Sequence, residues 1–241
     1  MTSRRTFLEG ALVGGIATLS GASSLASAQQ TSAVETLRQA VDLGRRVRRG
    51  ELSQTGWQDA VEPLLRSKTV TELSEAIDLR ALRARARPVA RGSSILRVPL
   101  FRRLGADEGA DMKVFFFRAG RSDPPHVHFN LLAAHIVLEG RFRVRHFERV
   151  REQDDGFVLR AGRDRILGPG EVSSISDHRD NGHWHLAETD GVLLDVQQGR
   201  LDPSLPIRRR EMIDPEGARP LADGSILSPR LGRNAALRRY G

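Results

Sequence analysis

Residues 120–130 read GRSDPPHVHFN. Two prolines stiffen the approach, and His126 and His128 then flank a single valine. Successive side chains of a β-strand point to opposite faces, so two imidazoles one residue apart project to the same side. Paired imidazoles on one face are a recurring arrangement of metal ligands. A lone His-x-His also describes many surface histidines, so the surrounding sequence has to decide.

That sequence reads as strands. From about Val89 to residue 200 the segments SILRVPLF, MKVFFFRAG, AAHIVLEG, RFRVRHFERV, DGFVLRAG, VSSIS, HWHLAET and GVLLDVQQG are short, apolar or alternating. Gly, Pro, Asp or Asn bounds each of them. Many short strands at such spacing predict a mainly β domain, an antiparallel sandwich or barrel over 89–200. Residues 29–88 have a helical period instead. Val34, Leu37, Val41 and Leu43 fall towards one side of a first segment, and Gly50 offers its stop. SQTGWQDAVEPLLRS and TVTELSEAIDLRALRARAR supply further amphipathic stretches, with Thr71, Ser74 and Glu75 offering first-turn chemistry. No ligand set appears there, which predicts a helical arm packed on the main domain or on a second subunit. Residues 201–241 read as an irregular, basic C-terminal extension that wraps the barrel.

Composition sets the outer bounds. The net charge is +8, from 38 basic against 30 acidic residues, and Lys68 and Lys113 are the only lysines. No recognisable module or basic helix accompanies this arginine excess, so nucleic acid is not expected as a partner. The absence of cysteine excludes disulfides, thiolate nucleophiles and thiolate metal sites. Any metal must use histidine, carboxylate or water.

Residues 1–28 read as an address. Arg4 and Arg5 precede Phe7 and Leu8, a mild apolar stretch follows, and ASA closes it at Ala28. This resembles a twin-arginine (Tat) signal peptide, which implies the Tat machinery as a partner and a periplasmic or otherwise exported product. The stretch is too short and too rich in Gly, Ser and Thr for a membrane span, so no membrane anchor is expected.

The quoted stretch is also a motif. Gly120, five residues, His126-x-His128 and then Gly140, twelve residues on, resemble the first motif of the cupin superfamily. That motif carries a glutamate at the position held here by Ala133, so the carboxylate ligand of many manganese cupins is missing. The second motif is looser. Gly162, Gly168 and Gly170 hold its frame, but Gly168 replaces a proline and Ser173 stands where a histidine is expected. The chain supplies His183 and His185 later, within SDHRDNGHWHLAE. A first motif without glutamate, followed by a late N-x-H-W, is similar to the three-histidine thiol dioxygenases, relatives of cysteamine and plant cysteine oxidases. The resemblance spans residues 96–198. It implies a cupin β-barrel or jelly roll, a metal held by His126, His128 and His183, a small-molecule substrate, and a homodimer as a common assembly.

The residues support the same chemistry without the family. Three neutral imidazoles hold a divalent ion and leave open positions. Ligand type alone leaves iron(II), which the resemblance favours, beside manganese, nickel and zinc. His135 shares the face of Ala133 and reads as a base behind the metal, a fourth ligand or a satisfied core histidine. His185 reads as a ligand or a partner of the ligands, below His183. His178 reads as a loop residue, and His146 as structural or exposed. Asn181 is either an orienting partner of His183 or a turn residue. Arg118 is a substrate carboxylate partner or a surface arginine, and Trp184 is packing. The expected function is an exported mononuclear cupin dioxygenase acting on a small molecule, with thiols first. The alternatives are a non-catalytic metal- or ligand-binding cupin and a zinc or manganese isomerase or hydrolase.

Overall fold

The computed structural model describes residues 32–104, 109–205 and 210–241. The Tat-like stretch of residues 1–28 lies outside them. The described chain begins in helix α1 (32–48) and continues through α2 (Gln54–Arg66), α3 (Val70–Ala76) and α4 (Leu79–Arg85). Strand β1 (Ser94–Arg97) is followed by a short helix α5 (Leu100–Arg103), so VPLF leaves the strand at its proline. Eight strands come next: β2 (Ala110–Phe117), β3 (Ser122–His128), β4 (Leu131–Glu139), β5 (Phe142–Gln153), β6 (Gly156–Leu167), β7 (Val172–Ile175), β8 (Gly182–Ala187) and β9 (Gly191–Gly199).

Their pairing is nested. β5 pairs with β6, β4 with β7, β3 with β8 and β2 with β9, all antiparallel. A long hairpin wrapped on itself gives this pattern, and it sorts the strands into two facing sheets, β2-β9-β4-β7 and β3-β8-β5-β6. The fold is mainly β, an antiparallel jelly-roll barrel. Gly140 makes the tight turn by which the chain passes from β4 in the first sheet to β5 in the second. Its φ is +80°, and a Cβ there would lie 2.4 Å from the Asp190 carbonyl oxygen.

The helices cover the outer face of the first sheet. Leu132, Ala134, Ile136 and Leu138 of β4 pack with Leu37, Trp57, Val61, Leu65 and Leu82, while Val137 points inward to Phe117, Phe142 and Leu193. Both faces of β4 are therefore buried, which is why it is an apolar run instead of an alternation. Trp57, Val61 and Leu65 recur every four residues along α2 and form its buried stripe. Ser53 caps α2, and Thr69 with Glu72 forms a capping box on α3, two residues before the expected Thr71. Helix α2 also shields the edge of β7. Gln58 Nε2 donates to the Ser174 carbonyl oxygen at 3.0 Å, and Ser176 Oγ donates to Gln58 Oε1 at 2.8 Å.

The C-terminal segment wraps the barrel with more regular structure than its composition suggests. It forms β10 (Arg210–Ile213), β11 (Arg219–Pro220), β12 (Ile226–Leu231) and helix α6 (Arg233–Tyr240). β10 pairs with both β3 and β12, and β12 pairs with β6, so β10-β3-β8-β5-β6-β12 closes into a ring of six strands. Val127, Phe147, Phe157, Leu159, Trp184 and Ile213 fill that ring. The Tyr240 hydroxyl donates to Asp214, and its ring meets Trp184 edge-on at 5.0 Å. Among the described residues, no helix is long and apolar enough to cross a membrane.

Candidate metal centre

Three strands bring five histidines together. β3 supplies His126 and His128, β8 supplies His183 and His185, and β4 supplies His135 from the opposite sheet. All five are buried, with 8% exposure at His128 the highest. His126 and His183 are register partners, so their imidazoles leave neighbouring strands side by side. Nε2 of His183 lies 3.0 Å from Nε2 of His126 and 3.2 Å from Nε2 of His128. The main-chain carbonyl oxygen of Pro124 lies 2.6 Å from His126 Nδ1, which places that ring's proton on Nδ1 and leaves the Nε2 lone pair free. Three imidazole nitrogens that face one another, one with its tautomer fixed from behind, fit a divalent ion of the kind three histidines bind.

The electrostatics suit the same purpose. Burial holds the His126 and His183 imidazoles well below their ordinary pKa. The Arg210 charge adds to this at His126, and the neighbouring His185 does so at His183. Burial and His135 hold His185 well below in the same way. Neutral rings at neutral pH leave their lone pairs available, as metal ligation requires.

Asp123 belongs to the site although nothing in the sequence pattern singled it out. It pairs in register with His185 while His126 pairs with His183, so three residues of β3 span two of β8. This bulge, at Pro124 and Pro125, puts Asp123 on the histidine face. Its Oδ2 lies 3.9 Å from His126 Nε2, and Arg210 Nη1 of β10 reaches both its oxygens at 3.4 Å. The C-terminal segment thus contributes a charge to the site's edge.

A second group adjoins the first. The His135 and His185 rings lie 4.6 Å apart, and each is within 5.0 Å of the His183 ring. His135 is the register partner of Asp195 on β9, and its Nε2 sits 3.4 Å from Asp195 Oδ1. Burial pushes Asp195 up to about 7 and His135 down to about 4, each towards its uncharged form. Asp195, inside the apolar GVLLDVQQG, is the other residue that the sequence did not mark.

The remaining candidates fall elsewhere. Ala133 packs with Leu131 and Ile175, and Ser173 stands opposite His135 on β7. Asn181 is a turn residue, because its Oδ1 accepts from the Arg149 amide and its Nδ2 donates to the Asp177 carbonyl. Arg118 is a surface arginine paired with Asp190 at 2.6 Å. His178 is exposed in a turn. His146 is the structural alternative: it is buried, opposite His183 in register, and burial pushes its pKa down to about 4.

No protein-family model and no curated protein matches this chain. Solved structures do align with it. KdgF from Halomonas sp. is 22% identical with a TM-score of 0.36, covering 50% of this chain and 90% of that one. An RmlC-like cupin from Shewanella frigidimarina is 16% identical with a TM-score of 0.35, covering 50% and 87%. An oxalate oxidase is 20% identical with a TM-score of 0.34, covering 46% and 53%. The strand pairing, and not these alignments, defines the fold as an antiparallel jelly roll.

Proposed function

We propose that this chain is an exported, metal-dependent cupin oxidoreductase that joins oxygen to a small molecule, with thiols the first substrates to test. One observation carries the reading: the facing Nε2 atoms of His126, His128 and His183, with burial holding the His126 and His183 imidazoles well below their ordinary pKa. These three residues would hold the ion, with iron(II) favoured by the resemblance to three-histidine dioxygenases. When bound, such an ion supplies Lewis-acid and one-electron redox chemistry at a site with open positions. The chain's own residues do the rest. Pro124 fixes the His126 ring through Nδ1. Asp123, steadied by Arg210, lies where a carboxylate can accept a proton from an acidic substrate group such as a thiol. Ala133, Leu131 and Ile175 give the adjoining wall an apolar character that excludes water. The Arg4–Arg5 pattern of the N-terminus supports export by the Tat route.

The burial of all five histidines favours a second reading, a cupin that holds a metal or small ligand without turnover. One experiment separates the two. Protein reconstituted with iron(II) is assayed for oxygen uptake with cysteine, cysteamine and 3-mercaptopropionate. Oxygen consumption that His126→Ala abolishes is the expected result. Bound iron without uptake on any thiol leaves the second reading.

A further inference from the structure

Three imidazole nitrogens in this cluster have no partner and no contact with water: His183 Nδ1, His135 Nδ1 and His185 Nε2. A buried polar atom without a partner is costly, and three such atoms on adjoining rings share one explanation. His183 turns its Nε2 towards His126 and His128, so its Nδ1 is left for something else. The His135, His183 and His185 rings lie 4.5–5.0 Å apart, with ligand atoms all within 4.8 Å of one another. Behind His135, Asp195 Oδ1 stands 3.4 Å from Nε2 without a hydrogen bond between them, close enough to form one on a small turn of the ring, and Gln197 Nε2 donates to the other Asp195 oxygen at 2.6 Å. A carboxylate behind one nitrogen and a bare lone pair on the other is how a metal-binding histidine is oriented.

We propose that His135, His183 and His185 form a second divalent-metal position beside the first, with Asp195 orienting His135. His183 presents Nε2 to one ion and Nδ1 to the other. When both are bound the shared ring is an imidazolate, and its last proton leaves to solvent. An all-imidazole set selects ions such as zinc, copper(II) or cobalt(II) over magnesium or calcium. The pairing of two ions rests on the reading of the first site given above, but the second ligand set stands without it.

Cobalt(II) titrated into the metal-free full chain tests both sites separately, with bound metal measured by equilibrium dialysis and elemental analysis. Two ions per chain are expected. His135→Gln and His185→Gln should each keep one, as should His126→Gln and His128→Gln, while His183→Gln should lose both. Asp195→Asn, which removes no ligand, should weaken one of the two ions on the order of 10–100-fold. It decides the matter if the histidine variants fail to fold, which thermal melts of the metal-free proteins will show. One ion per chain, insensitive to His135→Gln, His185→Gln and Asp195→Asn, overturns the proposal and leaves the first site standing. One ion lost in His135→Gln and His185→Gln but kept in His126→Gln and His128→Gln supports it and sinks the first reading. No binding at all overturns both.

Discussion

Asp123 and His126 share one face of β3 although they are three positions apart in the sequence. Asp123 Oδ2 and His126 Nε2 are 3.9 Å apart. In a regular strand that spacing puts two side chains on opposite faces. The Pro124–Pro125 bulge adds the residue that brings them together. A negative charge at that distance favours a cation among the histidines, and Arg210 on the far side keeps the carboxylate in place.

Asp123→Asn removes that charge with little change in volume. Cobalt(II) affinity at the first site should fall on the order of 10–100-fold, as for other groups that support ligands. Unchanged affinity, measured by isothermal titration, would show that Asp123 serves only to hold Arg210 and β10.

The split between what the sequence disclosed and what it concealed follows from that bulge. His126, His128, His183 and His185 were legible because each pair keeps the strand's period of two within one segment. Asp123 was hidden because it violates that period. Asp195 was hidden because it sits in an apolar run, and its partner His135 is sixty residues away across a sheet. The jelly roll was legible as many short strands punctuated by glycine, but its nested pairing is wholly non-local. The ring closed by β10 and β12 depends on four- and six-residue strands among prolines and arginines, where pattern is weak. VPLF reads as strand until Pro99 turns it into α5.

The helical layer is expected to be indispensable for the barrel. Residues 32–88 cover Leu132, Ala134, Ile136, Val192, Leu194 and Val196 on the outer face of the first sheet. A chain that starts near Val89 exposes this contiguous apolar surface, a recognised aggregation liability. It should be insoluble or lack a cooperative thermal transition. A soluble, cooperatively melting product would show that the helices merely decorate an autonomous barrel.

Gln58 tests the seam between helix and sheet. It is fully buried and satisfies both the Ser174 carbonyl and the Ser176 hydroxyl. Gln58→Leu keeps the size but leaves both groups short of a partner, so it should cost about 1–3 kcal/mol. Urea denaturation with an unchanged slope reads this directly. A variant as stable as the parent would mean that water replaces the glutamine at the edge of β7.

The metal-free protein should be acid-labile well above the carboxylate range. His135 and His146 are pushed down to about 4 by burial, and His126, His183 and His185 are also held low, against an ordinary value of 6.5. Between about pH 6.5 and pH 4 the unfolded chain binds protons at these rings and the folded chain does not. The unfolded state is therefore favoured progressively as pH falls through that window. Asp195 works the other way. Its folded value of about 7 lies above its ordinary 3.8, so the folded chain takes up that proton first and gains stability as pH falls. Asp177, also raised by burial, acts in the same direction as Asp195, and against these two carboxyls the five imidazoles should win. The melting temperature should drop steeply from pH 7 to pH 4, and more steeply in Asp195→Asn, which lacks one opposing group. Bound metal should oppose the drop at first, since ligation and protonation compete for the same lone pairs. A melting temperature flat between pH 7 and pH 5 in the metal-free chain would mean that the cluster is already protonated or open to water.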